Sequence, residues 1–195
     1  MTCVPRALAL IALLLLAACG GKPAPWHMTD ITGAMPKLDF RLTRASDGAT
    51  VGGDAYRGKL AILYFGYTHC PDVCPTTLSN LADLLHRLGD KRHQLRVLFV
   101  TVDPDRDTLP VLKAYAAAFA PEVEGMRGTP DALSALARRY RVAYSVTPAS
   151  PGHPYQVTHS SAVFFFDASG AARLVTTSTD DIPGIEADVR RLLKD

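Results

Sequence analysis

Two cysteines four residues apart, in the run His69-Cys70-Pro71-Asp72-Val73-Cys74-Pro75, are the residues of this 195-residue chain best suited to do chemistry. On a helix, positions i and i+4 share a face about one turn apart, so two sulfurs so placed can reach one small ion or, with slight adjustment, each other. A helix start supplies partial positive charge and free backbone N–H groups, which lower a thiol's pKa and favour the thiolate needed for metal ligation and for disulfide exchange alike. Cys70, nearer that start, is therefore expected to be the more acidic thiol. The spacing leaves open an inert disulfide, a redox pair in which Cys70 attacks and Cys74 resolves, and a metal chelate. A closed zinc site wants four protein ligands, and no second cysteine pair supplies them. Two thiolates with one imidazole suit copper: thiolates favour Cu(I), and imidazole nitrogen also suits Cu(II).

The other polar residues near the pair are weaker candidates. His69 adjoins Cys70, but neighbours on a loop entering a helix usually diverge. His86 and His93 fall beyond the first turn of the motif helix and read as solvated, and His27 belongs to an expected spacer. His153, in Pro151-Gly152-His153-Pro154, sits in a loop able to swing over the site. Asp72 reads either as a carboxylate favoured by the helix dipole or as an outer acceptor or docking charge, not as a ligand.

The elements that must position these residues begin after an expected leader. Arg6 precedes a short apolar run over residues 7–16, too short to span a bilayer as a structural helix and of the form of an export signal. It ends in Leu16-Ala17-Ala18-Cys19-Gly20, which resembles the lipobox of bacterial lipoproteins. The expected division is a lipoprotein signal peptide over residues 1–18, a lipidated Cys19 with a flexible, Gly- and Pro-rich tether over 19–33, and one folded domain over 34–195. The domain then lies outside the cytoplasm, in the cell envelope. Cys3 leaves with the signal and Cys19 is blocked by lipid, so Cys70 and Cys74 remain as the thiols. In an oxidising compartment they drift to a disulfide unless a reductant or a metal holds them. The formal net charge of +2, with scattered Lys and Arg, argues against nucleic acid as a partner.

Within the domain, alternation over residues 38–42 and the turn signal Asp47-Gly48 predict an N-terminal β-hairpin. The continuous apolar run over 60–67 predicts a central strand buried on both faces, and it delivers the chain to Cys70. Leu78, Leu81, Leu84, Leu85 and Leu88, closed by Gly89, predict an amphipathic helix, so the dithiol falls at a strand-to-helix junction where α/β folds place ligands. A second buried strand over 95–102 leads into Asp103-Pro104-Asp105-Arg106-Asp107-Thr108, expected to be a structural turn with a side chain capping the helix that follows. Further expected elements are a helix from Thr129-Pro130, strands over 142–146 and 162–167, a return strand over 173–177 and a closing helix over 182–193. The order implies an α/β fold with a mixed sheet, parallel in its middle and antiparallel at its end, with helices on both faces.

Three separated motifs, Tyr67-Thr68-His69-Cys70-Pro71-Asp72-Val73-Cys74-Pro75, Val102-Asp103-Pro104-Asp105-Arg106-Asp107-Thr108 and Val157-Thr158-His159-Ser160-Ser161, resemble the Sco/SenC family across about residues 35–193. The resemblance implies a thioredoxin-like fold and a membrane-tethered copper carrier, not an enzyme, that helps assemble the dinuclear CuA centre of cytochrome c oxidase. It assigns Cys70, Cys74 and His159 as ligands of copper, as Cu(I) and Cu(II). It names the CuA-bearing oxidase subunit as partner, with room for another periplasmic copper donor or a thiol reductant. The sequence places His159 in a loop just before an apolar strand, where thioredoxin-like enzymes keep a cis-proline facing their dithiol. Relatives commonly carry Asp where this chain has Thr158, a change expected to weaken the orientation of the imidazole or to lower negative charge near the metal. Two other uses stay open on the same residues: a thiol–disulfide oxidoreductase that reduces the apo-oxidase subunit, and a redox or copper sensor. A thiol peroxidase fits less well, because that chemistry needs one cysteine placed with a Thr and an Arg.

Overall fold

A computed structural model describes residues 24–194 of the chain, so the expected signal peptide and Cys19 lie outside the described residues. Its centre is β4 (Leu60–Gly66), in which every residue is buried, as the unbroken apolar run requires. The side chains of β4 alternate between two cores. Leu60, Ile62 and Tyr64 pack with the leucines of α1 (Val73–Leu88), with α2 (Leu109–Ala117) and with α4 (Ile182–Leu192). Ala61, Leu63 and Phe65 pack on the other face with Leu133, Leu136 and Ala137 of α3 (Pro130–Arg139).

Beside β4 run β5 (Leu95–Thr101), parallel and in register from Leu60↔Leu95 to Gly66↔Thr101, and then β6 (Val123–Arg127), parallel to β5. On the other side β9 (Val163–Phe166) pairs antiparallel with β4, Val163 opposite Tyr64, and β10 (Ala172–Thr176) pairs antiparallel with β9. The fold is thioredoxin-like, a mixed sheet flanked by helices, with the expected parallel centre and antiparallel end. The N-terminal hairpin forms from β2 (Arg41–Arg44) and β3 (Thr50–Gly52), and β2 also extends the sheet by pairing with β6. Its first strand starts later than residues 38–42 because Leu38 and Phe40 are spent on the core ahead of it.

Two further expectations need correction. The segment predicted as a strand over 142–146 is β7 (Tyr144–Thr147), and it stands apart from the main sheet. It forms a separate antiparallel hairpin with β8 (Gln156–His159), a strand the sequence reading missed because polar residues interrupt it. The expected tether, in turn, is docked along part of its length. β1 (Thr29–Asp30) adds to the sheet edge against β10, Trp26 lies under the Arg191 guanidinium at 3.7 Å, and Met28 is buried. The Met28 N–H donates to the buried Asp188 carboxylate at 2.8 Å. The folded unit therefore begins at about residue 26, because Trp26, Met28 and a two-residue strand pairing suffice to hold an otherwise polar segment.

That docking gives the first prediction. Asp188→Ala leaves the buried Met28 N–H without an acceptor and should cost about 1–3 kcal/mol in urea unfolding. Asp188→Asn, which keeps an oxygen in place, should cost less. Equal stability of Asp188→Ala and wild type would show that the segment is not held.

Candidate metal centre

The topology assembles the site at one end of the sheet. β4 and β5 are parallel and end together at Gly66 and Thr101, so the dithiol loop and the Asp103–Thr108 turn leave the sheet side by side. β9 is antiparallel to β4, so the start of β9, and the β8 strand just before it, lie at this same end. Sulfur and nitrogen ligand atoms of Cys70, Cys74 and His159 consequently come within 4.8 Å of one another. His159 lies at the end of β8 and not in a loop.

Cys74 is in the first turn of α1 and fully buried, whereas Cys70 lies just before the helix and is half-buried. The Cys74 N–H donates to the Cys70 sulfur at 3.4 Å, so this sulfur caps the first turn, and the Asp72 side chain at the cap position makes no capping bond. Burial by itself raises the Cys70 thiol, but the backbone N–H groups of Asp72 and Cys74 outweigh it and hold the thiol below its ordinary value. Burial pushes the Cys74 thiol up to about 12. The expected order of acidity therefore follows from the helix start, and burial of the second sulfur widens it.

The His159 ring is fixed on three sides. Its Nδ1 lies 3.0 Å from the Ser160 carbonyl oxygen, which can only accept, so Nδ1 carries the proton and Nε2 presents its lone pair. That Nε2 is 3.2 Å from the Cys74 sulfur. Tyr64 and Tyr67 set their rings nearly perpendicular to the imidazole at centroid separations of 6.0 and 5.8 Å. Burial lowers the His159 pKa, which keeps the ring neutral and able to ligate. A cleft of about 570 Å³, lined by Tyr67, Cys70, Val73, Val157, His159 and Ser161 but not by Cys74, opens the cluster to solvent. An incoming ion meets Cys70 and His159 first.

The remaining candidates fall elsewhere. His69 Nδ1 is 3.1 Å from the Thr68 hydroxyl and 3.6 Å from Asp107, outside the cluster. His153 closes the tip of the β7–β8 hairpin through paired backbone bonds with Ser150, at the far end from His159, so it does not swing over the site. His86 is exposed, His93 lies 3.5 Å from Glu122, and His27 lies 3.9 Å from Asp181. Thr158 is exposed and hydrogen-bonds Ser145 across the hairpin at 2.8 Å. The Ser160 carbonyl orients the imidazole without help from residue 158.

The Asp103–Thr108 turn is structural as expected, but no side chain caps α2 at Thr108, and sequence reasoning missed the roles of Asp107, Gly66 and Tyr155. Asp107 does not cap α2; it is fully buried and accepts from the Thr68 N–H at 3.0 Å, the Thr68 hydroxyl at 2.5 Å and the Thr101 hydroxyl at 2.6 Å. It thereby ties the cysteine loop to β5. At Gly66 a Cβ would stand 2.8 Å from the Cys74 sulfur and 2.6 Å from the Phe99 ring, so only glycine leaves room for that thiol. A glycine closing an otherwise apolar strand was the available signal. Tyr155 was legible only as the first position of the alternation Tyr155, Val157, His159, once residues 156–159 are known to be a strand.

Comparison with known proteins gives one consistent result. Residues 30–194 match the family described as SCO1/SenC. A curated relative, the mitochondrial protein SCO2 of Saccharomyces cerevisiae, is 41% identical over 117 residues, which are 58% of this chain but 38% of that protein. The chain thus spans well under half the length of this relative. The structure of Bradyrhizobium japonicum ScoI with copper bound superposes with a TM-score of 0.72 at 32% identity, covering 80% of this chain and 98% of that one. Yeast Sco1 with copper bound superposes at 0.73 and 33% identity, covering 82% and 90%.

Gly66→Ala follows as a test of the site's packing. The added methyl must displace either Phe99 or the Cys74 sulfur, so the substitution should cost about 1–3 kcal/mol in stability. It should also weaken metal binding in the fraction that folds, measured by titration at a temperature well below the melting point. Wild-type affinity and stability together would show that the sulfur does not occupy this position.

Proposed function

This chain belongs to the SCO1/SenC family, and from that membership we propose that it is a copper carrier which holds one copper ion on Cys70, Cys74 and His159 and passes it on by ligand exchange. The convergence of two sulfurs and one imidazole nitrogen within 4.8 Å carries this reading. The donor set is soft enough for Cu(I), and the neutral Nε2 of His159 adds the nitrogen that Cu(II) favours.

The residues divide the work by exposure. Cys70, the more acidic and more open thiol, makes first contact with arriving copper. Cys74 loses its proton as copper binds, since burial keeps it a thiol at neutral pH. Departure begins at the same exposed ligands: an acceptor ligand enters through the cleft, displaces Cys70 or His159, and Cys74 is released last. The proposed acceptor is the CuA-bearing subunit of cytochrome c oxidase, with a second periplasmic copper donor upstream. A disulfide between Cys70 and Cys74 cannot ligate, so a thiol reductant supplying two electrons and two protons belongs to the same cycle. We place the domain at the cell envelope, held there by lipid on Cys19. On this reading the protein transfers an ion and turns over no substrate of its own.

Copper titration of the reduced protein should give one equivalent bound. Cys70→Ser and Cys74→Ser should abolish tight binding, and His159→Ala should keep Cu(I) on the two thiols while losing Cu(II). Full Cu(II) retention by His159→Ala would overturn the ligand set. The pH dependence has a definite sign. Between about pH 6.5 and 7.5 His159 is already neutral, because its pKa is lowered, while Cys74 still carries the proton that copper must displace. Cu(I) affinity should therefore rise at least about tenfold across that unit, one power of ten per proton released. A flat profile in competition titrations would show that Cys74 binds without losing a proton.

A further inference from the structure

His159 is the ligand with the thinnest support. Cys70 and Cys74 are built into the junction of a buried strand and a buried helix, but His159 rides on a two-stranded hairpin that is not part of the main sheet and has no buried residue in either strand. Tyr144 and Val157 rest partly buried on the core beneath it, but a cleft of about 570 Å³ lies behind β7, lined by Asp103, Leu133, Val146 and Pro148, so the hairpin is backed over only part of its length. Among the described residues, apart from the bond of His159 to the carbonyl of the adjacent Ser160, two hydrogen bonds join residues 144–159 to the rest of the protein. One is the contact of His159 with Cys74, and the other is donated by the Tyr155 hydroxyl to Asp103 Oδ1 at 2.7 Å.

The second bond has an elaborate anchor. Asp103 is fully buried, its N–H donates to the Thr101 hydroxyl at 3.0 Å, and its other carboxylate oxygen accepts from Arg106 Nε. The same guanidinium lies 4.0 Å from the centroid of the Tyr155 ring and 5.9 Å from that of Tyr67, whose ring stands nearly perpendicular to the His159 imidazole. Tyr155, Val157 and His159 alternate on the inward side of β8, and Gln156 and Thr158 face out. A latch at the first of these positions therefore sets the height of the last.

We propose that Tyr155 is a positioning residue for His159: its hydroxyl on Asp103 and its ring under Arg106 hold the β7–β8 hairpin down, and so hold the imidazole at the two sulfurs. This inference rests on the copper-carrier reading for what the imidazole binds, but not for the latch itself. When the latch opens, His159 leaves with the hairpin while the two thiols stay in place. The Asp103–Arg106 turn thus becomes part of the machinery that decides between two and three ligands.

The test is Tyr155→Phe, which keeps the ring and removes one hydroxyl, compared with wild type and with Gln156→Ala as the outward-facing control. In the metal-free reduced protein, amide hydrogen exchange over residues 144–159 should quicken in Tyr155→Phe and not in Gln156→Ala, with β4 and β5 unchanged. A hydrogen bond to a charged acceptor is strong enough that its loss should weaken Cu(II) binding about tenfold and alter the thiolate-to-Cu(II) charge-transfer band. Cu(I) stoichiometry should be unaffected. Unchanged Cu(II) affinity and band in Tyr155→Phe overturn the proposal whatever the exchange rates. If the wild type binds no Cu(II), the carrier reading is what fails, and the exchange comparison alone decides whether the latch exists: quickened exchange upholds it and unchanged exchange overturns it.

Discussion

The antiparallel pairing of β9 with β4 is the constraint on which the site depends. It places the start of β9 at the end of β4, with Val163 opposite Tyr64, and so returns a histidine 85 residues downstream to the sulfur of Cys74. The parallel pairing of β4 with β5 does the same for the Val102–Thr108 motif, ending both strands at Gly66 and Thr101. Buried backbone must pair somewhere, and in a sheet covered on both faces it pairs with neighbouring strands. Once these registers are set, three separated stretches of sequence have one place to meet, at the ends of the strands.

Within that frame a single buried carboxylate stiffens the cysteine loop. Three donors converge on Asp107, two from Thr68 next to the cysteine motif and one from Thr101 at the end of β5. A charge with no exposure is tolerable only when its oxygens are fully engaged, so the loop cannot move without stranding it. The cysteines gain a fixed geometry from this, and their unequal burial gives them unequal chemistry. The same helix start that draws Cys70 toward thiolate lies beside a pocket, closed by Gly66 and Phe99, in which Cys74 stays protonated.

What the sequence made legible followed from strong periodicity. The apolar run of β4, the leucine spacing of α1 and the capping Thr129 of α3, whose hydroxyl accepts the Ala132 N–H, are each local patterns with one structural solution. The cysteine pair was legible as chemistry for the same reason. His159 as the third ligand was not, since no local feature connects it to residue 74; it came from a resemblance among motifs. The roles of Asp107 and Tyr155 were hidden because their partners, Thr68 and Asp103, lie 39 and 52 residues away. The hairpin strand β8 was not legible because a half-exposed strand, with Gln and Thr on the outer side, carries a weak apolar signal. Residues 26–31 were read as spacer from their Gly- and Pro-rich approach, although Met28 and Trp26 had apolar surface to bury.

The three ligands therefore stand on unequal foundations, and copper chemistry gives that inequality a consequence. Two thiolates on a packed strand–helix junction satisfy Cu(I), which accepts low coordination by soft donors, without any contribution from the hairpin. On the proposed reading Cu(II) draws on the imidazole, which the proposed latch presents only while the hairpin is down. An ion that loses an electron in the site gains from holding the hairpin closed, and one that gains an electron no longer needs it. Because a ligand shifts a conformational equilibrium only by its differential affinity, the oxidation state of the cargo and the position of the hairpin are thermodynamically linked. On the proposed copper-carrier reading, the cleft beside Cys70 and His159 is then most accessible to an acceptor when the ion is reduced and the third ligand is free to leave, which would tie the direction of transfer to the redox state of the proposed cargo.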